Sequence, residues 1–506
     1  MKFKRSIYNV FFSIFSLVIT FSIGIIIPKL FIVNLGSEAN GLVASVGQVF
    51  AYVGLLEAGI GTTVTQALYK PISEKDVSGI NSILSASNRY YKKIGFIYIG
   101  CIVLVAVIYP LVVKTNIPIW QVVGVVCFSG LGNAINFLLQ QNYVVLLSAD
   151  GKGYVTTNIN LVVNVLISIL KVVLLLLGFN LFFVILGQFL VSLFRIVIMR
   201  IYIKHSYSWV NFGAVPNKAA LGKQKYVMIQ QLSYFVFSNT DIVVLTFLTD
   251  LTVVSVYAVY NMIIGVIESI VSSFTDGVLF ALGQLYNENF QKFKKVYKVY
   301  DSCYMTLVFI LFSIVYVCII PFLSIYTKGI KDVNYLDSFL AFLFVVLKMV
   351  TTLRSQSQNV INIAGHFKET QKSSIVEASL NIAISVVGAC FWGIYGVLFG
   401  SLVSSLFKGI AVTNYTNKYI IYATKKEKAV KYLRWVAYII VFIIITVINH
   451  LLFQISFDNY LSWILFAIPC GFVSVLIYTV LWAVLDLETT KNTVLFLKKK
   501  IKRGHK

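Results

Sequence analysis

One kind of segment recurs almost without interruption along this sequence: an apolar run of about 20 residues or more, long enough to cross a hydrocarbon layer of about 30 Å as a helix. No stretch between the runs is long enough to fold as a separate soluble domain. Composition agrees, since 58% of the 506 residues are hydrophobic and 12% are charged, whereas a soluble domain is about half apolar and a quarter charged. The basic opening Met1–Arg5 leads into an apolar run that continues to Val33 without a small-residue cleavage site, so it reads as a first membrane helix rather than a secretory signal. The six cysteines lie in apolar segments without C-x-x-C spacing, which predicts packing residues rather than disulfides or metal ligands.

The runs predict fourteen helices, at 6–33, 40–68, 94–113, 118–147, 157–178, 180–204, 226–249, 252–282, 302–326, 335–365, 373–392, 394–416, 433–454 and 460–485. Charge provides a check, because Lys and Arg are retained in cytoplasmic loops. With the N-terminus inside, 33 of the 42 Lys and Arg fall on the cytoplasmic side, and only Lys114, Lys328 and Lys331 fall outside. A miscount of one helix would invert the pattern in every later loop. The alternation therefore predicts fourteen crossings with both termini cytoplasmic, and it accounts for most of the +23 net charge without nucleic acid. The basic ending "LKKKIKRGHK" is a topological anchor or a contact for anionic membrane lipids.

Helices one to six and seven to twelve share an orientation, a plan that places a substrate site between parallel halves. The expected organisation is an N-lobe at 1–204, a cytoplasmic linker at 205–225, a C-lobe at 226–416, a loop at 417–432, two further helices at 433–485 and a basic tail at 486–506.

Polar residues line up inside several apolar helices. At about 100° per residue, Lys348, Thr352, Ser355, Asn359 and Asn362 share one face, with Arg354 on its flank. Glu268 and Asp276 share a face of the eighth helix, Asp241 lies on a polar face of the seventh, and Asn133, Asn136 and Gln140 align in the fourth. A charge at the bilayer centre costs about 3 kcal/mol or more, so it normally faces a wet cavity or a partner. Several such faces imply one shared aqueous cavity. Lys29 and Lys171 can also snorkel toward head groups, and Arg195 and Lys408 can serve as interfacial anchors. Lys348 is the deepest cation. Glu57, Asp241 and Glu268 are either buried partners of those cations or a coupling-ion site. In the second helix Ala44, Gly47, Ala51, Gly54, Ala58 and Gly61 form a small-residue stripe suited to tight packing or sliding. Pro28 invites a kink in the first helix.

No phosphate-binding loop occurs, and the four histidines have no metal-site spacing. Every external loop is short, the longest being "YTKGIKDVNYLD", which disfavours an enzyme with a sizeable catalytic loop.

The segment "NVFFSIFSLVITFSIGIIIPKLFIVNLGSEANGLVASVGQVFAYVGLLEAGIGTTVTQALYKPISEKD" resembles the opening of the polysaccharide-biosynthesis (Wzx-type) flippases. These belong to the multidrug/oligosaccharidyl-lipid/polysaccharide (MOP) exporter superfamily. "SNTDIVVLTFLTDLTVVSVYAVYNMI" is similar to the seventh and eighth helices of that family, with Asp241 in the matching position. The resemblance implies an all-α polytopic membrane protein with two pseudo-symmetric six-helix lobes in a V-shaped MATE-like bundle, plus two C-terminal helices. It implies export of an undecaprenyl-diphosphate-linked oligosaccharide across a bacterial plasma membrane by alternating access, alongside the glycosyltransferases and polymerase of polysaccharide synthesis. The residues expected to meet diphosphate or glycan are Lys348, Arg354, Arg195, Lys408, Lys171, Gln140 and Asn359. Asp241, Glu268, Glu57 and Asp276 are expected to couple to an H+ or Na+ gradient, and Pro28, Gly54 and Gly61 to gate. No metal or organic cofactor is expected. A lipid II flippase, a multidrug exporter of the same superfamily and a membrane-embedded polymerase are the competing expectations.

Overall fold

Asparagine and aspartate mark where several helices begin, because their side chains satisfy backbone N–H groups that the first turn leaves without partners. The computed structural model describes residues 19, 24–57, 60–217, 225–452, 457–486 and 490. Asp76 accepts from Gly79 N–H, Asn289 from Lys292 N–H, Asp337 from Leu340 N–H and Asn459 from Ser462 N–H, at 2.8–2.9 Å. In chain order the helices are α1 (Gly24–Leu35), α2 (Ser37–Gly54), α3 (Ile60–Glu74), α4 (Val77–Val112), α5 (Ile119–Leu139), α6 (Gln141–Ala149), α7 (Gly153–Leu176) and α8 (Leu181–Ser206). The second run comprises α9 (Lys225–Leu248), α10 (Leu251–Glu288), α11 (Phe290–Tyr326), α12 (Ser338–Ala364), α13 (Phe367–Tyr415), α14 (Lys425–Leu452) and α15 (Tyr460–Leu485).

The described residues form an all-α polytopic membrane fold with no strand. Among the described residues, ten helices are long and apolar enough to cross a membrane, with shorter apolar helices at Gly24–Leu35 and Leu232–Leu248. Two of the expected helices are interrupted, α4 and α11 begin well before the expected positions 94 and 302, and one expected boundary is a sharp reversal. The continuous helix expected at 40–68 is interrupted by a 3-10 turn at Leu55–Glu57, beside the weak helix former Gly54. The helix expected at 118–147 divides into α5 and α6 at Gln140, whose φ is −117°. The two helices expected at 373–392 and 394–416 are the legs of α13, which reverses at Gly393, where φ is 54° and ψ −128°. Only glycine takes that backbone conformation without strain.

The chain forms two compact units. Unit 1 comprises Met1–Val259 with Ile330–Val333, and unit 2 comprises Tyr260–Gly329 with Asn334–Lys506. Unit 1 has two apolar clusters. One packs Phe31, Leu42, Val46 and Phe50 against Tyr98, Val125 and Val184. The other packs Val64 and Leu68 against Leu84, Leu146, Ile159 and Met199. Unit 2 is built around α11, whose apolar window is 72% buried, whereas that of α15 is 11% buried and turns most of its apolar surface toward lipid.

The legs of α13 approach closely because small residues face each other near the reversal. A Cβ on Gly388 would lie 2.7 Å from the Gly396 carbonyl oxygen, too close for any side chain. Gly100 on α4 has open space at the same position. Gly388→Ala is therefore expected to lower the thermal unfolding temperature in detergent, by about 1–3 kcal/mol of overpacking. Gly100→Ala is expected to leave it unchanged. Equal stability of the two variants would refute the tight hairpin.

Candidate functional site

Unit 2 places carboxylates beside two of its membrane-depth cations. Lys348 lies ten residues into α12, about 15 Å from its start at 1.5 Å per residue. Its Nζ is 3.2 Å from Glu268 Oε2 on α10, and Thr351 Oγ1 donates to Glu268 Oε1 at 3.4 Å. The side chains of this pair retain 20% and 31% exposure. Arg354, two turns further along, pairs with Glu377 on the first leg of α13, and here the exposures are 9% and 4%. One pair is accessible and the other is sealed.

Lys408, on the second leg of α13, donates to Ser373 Oγ at 3.0 Å and Ser374 Oγ at 2.6 Å, within electrostatic reach of Glu377. Asn381 Nδ2 donates to Ser401 Oγ at 2.7 Å one turn beyond. The hairpin interior is thus a polar ladder, and Ser374, Glu377, Asn381 and Ser385 share the face that builds it. Tyr304 of α11 donates to the Thr352 carbonyl at 2.7 Å and meets Ser355 Oγ at 2.8 Å, which fixes the polar face of α12. Asn359 is half-buried on that helix. Asp276 lies in α10, and its side chain falls outside the described residues.

A second buried cluster fastens α14 and α15 to α11. Asp301 meets Lys431 at 2.7 Å and Arg434 at 3.5 Å, and Arg434 also reaches Asp486 at 2.7 Å. Two acids and two bases balance, so the arrangement reads as an anchor. At the C-terminal end, the basic tail expected at 486–506 lies outside the described residues except for Asp486 and Thr490.

Unit 1 treats its charges differently. Arg195 Nη2 on α8 donates to Asn164 Oδ1 at 3.0 Å on α7, and Lys171 Nζ lies 5.6 Å from the centre of the Phe31 ring. Neither cation forms an ion pair among the described residues. Glu57, in the 3-10 turn after α2, accepts from Gln141 Nε2 at 2.6 Å and from Tyr91 OH at 3.4 Å. Gly61 lies alongside, and a Cβ there would sit 3.1 Å from Glu57 Oε1. Gln140 is buried at the α5–α6 break. Asp241 is buried and accepts from Tyr257 OH at 2.9 Å. Lys29 and Pro28 lie half-buried in α1, which is helical through Pro28.

A ladder of polar contacts also fastens α2 to α9 and to the first turns of α10, all within unit 1. Asp332 accepts from Ser37 N–H at 2.6 Å and from its hydroxyl at 2.9 Å. Asn40 Nδ2 donates to Ser255 Oγ at 2.8 Å, Ser45 Oγ meets Thr246 at 2.8 Å, Gln48 bonds Asn239, and Tyr52 meets Thr240 at 2.7 Å. The close backbone approach is at Gly41, where a Cβ would overlap the Leu251 carbonyl, whereas Gly47 and Gly54 of the expected stripe have open space.

No family model and no curated protein matches the sequence. Solved structures do. A lipid II flippase MurJ in an inward closed conformation has a TM-score of 0.67 at 13% identity, over 94% of this chain and 98% of that one. An inward-facing multidrug resistance MATE family transporter of the MOP superfamily has a TM-score of 0.62 at 14% identity, over 80% and 96%. The MATE multidrug transporter DinF-BH has a TM-score of 0.54 at 12% identity, over 82% and 96%. The chain shares the fold of these MurJ and MATE structures.

Within this fold, the sequence reading omitted Glu377, because it lies near the start of the helix expected at 373–392 and was not counted among the deep acids. The spacing Ser374, Glu377, Asn381, Ser385 held the signal. Sealing decides what each acid is worth to stability. Glu377→Gln strands a buried Arg354 and is expected to cost about 3–5 kcal/mol. Glu268→Gln leaves a half-exposed Lys348 and is expected to cost about 1 kcal/mol or less. Thermal unfolding of the purified protein should rank them in that order, and the reverse ranking would overturn the assignment of the sealed pair.

Proposed function

We propose that the chain is a flippase that moves a polyprenyl-diphosphate-linked oligosaccharide from the cytoplasmic to the outer leaflet of a bacterial plasma membrane, by alternating access and with both termini cytoplasmic. One observation carries this reading. Among the described residues, Lys171 and Arg195 hold positive charge at membrane depth beside an aromatic ring and an amide and form no ion pair, so unit 1 offers cations to an anion. A diphosphate supplies that anion, and charge-assisted bonds to its oxygens strengthen away from bulk water. Lys348 and Lys408 are the corresponding groups of unit 2, whereas Arg354, expected from the sequence to join them, is sealed against Glu377; Gln140 and Asn359 can meet glycan hydroxyls. Cationic cargo suits this set poorly. Glu57, a carboxylate held by neutral donors, and Asp241 are the groups to which an H+ or Na+ gradient would couple. The product would pass to the polymerising enzymes of a surface polysaccharide.

The decisive experiment is transport of a fluorescent diphosphate-linked lipid oligosaccharide in proteoliposomes. Wild-type protein is expected to expose the label outside, and Arg195→Ala and Lys348→Ala to slow it about tenfold or more at equal protein level, the equivalent of one charge-assisted contact. Export of a cationic dye in place of the lipid would overturn the flippase reading in favour of a drug exporter.

Alternating access would require the α2 ladder to open during the cycle. A disulfide between Asn40→Cys and Ser255→Cys is accordingly expected to stop transport and reduction to restore it. Undiminished transport by the cross-linked protein would exclude movement at that ladder.

A further inference from the structure

Lys348 and Glu268 differ from the other ion pairs of the unit 2 helix interiors in being reachable. The Arg354–Glu377 side chains are 9% and 4% exposed, those of the Asp301 cluster 4–12%, and Lys348–Glu268 20% and 31%. At about 15 Å along α12, an exposed charge has to face water, because hydrocarbon would impose a large penalty. Each member has one charged partner among the described residues. Lys348 Nζ has Glu268, and Glu268 has Lys348 together with the neutral Thr351 hydroxyl. Tyr304 of α11 also lies within electrostatic reach of Glu268.

We infer that Glu268 is an internal stand-in for the anionic cargo: it occupies Lys348 in the empty carrier and gives way when a diphosphate oxygen takes its place. This rests on the flippase reading above and assigns Glu268 a role in release and return. The exchange is conservative for Lys348, which passes from one oxygen anion to another. Glu268 Oε1 keeps the Thr351 hydroxyl as a neighbour at 3.4 Å, a hydroxyl it shares with the Lys348 carbonyl at 2.8 Å. Two consequences follow from electrostatics. Glu268 competes with cargo, which limits affinity and speeds release. It also leaves the empty carrier with a neutral pair at mid-depth, so that the return step does not carry a bare ammonium through the membrane. Arg354 cannot exchange in this way, since its partner Glu377 is sealed within the hairpin.

Glu268 is a positioning residue on this account, and its loss should tighten cargo binding, whereas a merely structural residue would loosen it when removed. The test measures binding of geranylgeranyl diphosphate, a sugar-free polyprenyl diphosphate, to the full-length protein in nanodiscs of zwitterionic lipid. Wild type is expected to bind, and Glu268→Gln to bind about tenfold more tightly, as for removal of one competing charged contact. Glu268→Asp keeps the competing charge and should stay near wild type. In proteoliposomes Glu268→Gln should complete a first turnover and then slow in later ones. Equal or weaker binding by Glu268→Gln, with wild type binding normally, would overturn the stand-in role and leave the flippase reading intact. Failure of both wild type and Glu268→Gln to bind the diphosphate would overturn the flippase reading itself.

Discussion

Placing a charge where there is little water is the constraint on which the rest of this structure depends. An isolated ammonium or guanidinium in hydrocarbon costs several kcal/mol, more than most single contacts return. Unit 2 answers with graded enclosure. Arg354 and Glu377 are sealed against each other between α12 and the first leg of α13. Lys408 is buried on two serine hydroxyls, which satisfy its donors without cancelling its charge. Lys348 and Glu268 are matched yet left accessible. The helices are arranged to permit this. The α13 legs can enclose a charge because Gly388 and Gly396 bring their backbones together at one end, while Asn381 and Ser401 hold them in register further in.

Unit 1 follows another logic. Arg195 and Lys171 lean on Asn164 and on the Phe31 ring, and Glu57 leans on Gln141 and Tyr91. Neutral dipoles orient a charge and lower its cost without neutralising it, so these groups retain a field that a ligand of opposite sign can use. Interruptions in the helices sit at the same places. Glu57 belongs to the turn between α2 and α3, and Gln141 opens α6 just after the Gln140 break. Irregular backbone is tolerated at membrane depth only where protein or water surrounds it. Two breaks meeting at one carboxylate therefore mark a polar interior, and the side chains of Tyr91 and Gln141 fill part of it.

Much of the fold was legible because hydrophobicity and loop charge are strong signals in a membrane protein. Even the reversal at Gly393 fell at the expected boundary between two helices, since no other residue type offers that backbone freedom there. The breaks at Leu55–Glu57 and Gln140 were hidden, because apolar residues continue on both sides of each and a few polar residues inside a long apolar run do not report a local change of hydrogen bonding. The small-residue stripe misled in detail. Its regular spacing pointed at Gly47 and Gly54, but the close approach is at Gly41, since the path of α10 decides which glycine meets a backbone. Within the candidate site, the depth of Lys348 and Glu268 could be read from position in their segments. Their pairing could not, because it depends on how α10 and α12 meet in space. Glu377 shows the converse: a residue placed at a segment edge was overlooked, and it holds the most enclosed carboxylate beside Arg354.

The distinction between sealed and accessible pairs bears on what a carrier in a membrane can do. A sealed pair fixes geometry, since separating it exposes two charges to low dielectric and nothing from solvent can replace either partner. An accessible pair is bistable, because water or a charged ligand can satisfy the freed group. Movement and exchange are therefore expected near Lys348, and rigidity near Arg354, although the two lie on the same helix six residues apart. Tyr304 supports that division by tying Thr352 and Ser355, which flank Arg354, to α11. A helix held to α11 at Thr352 and Ser355, with a replaceable partner at Lys348 one turn away on the same polar face, can exchange ligands without unravelling.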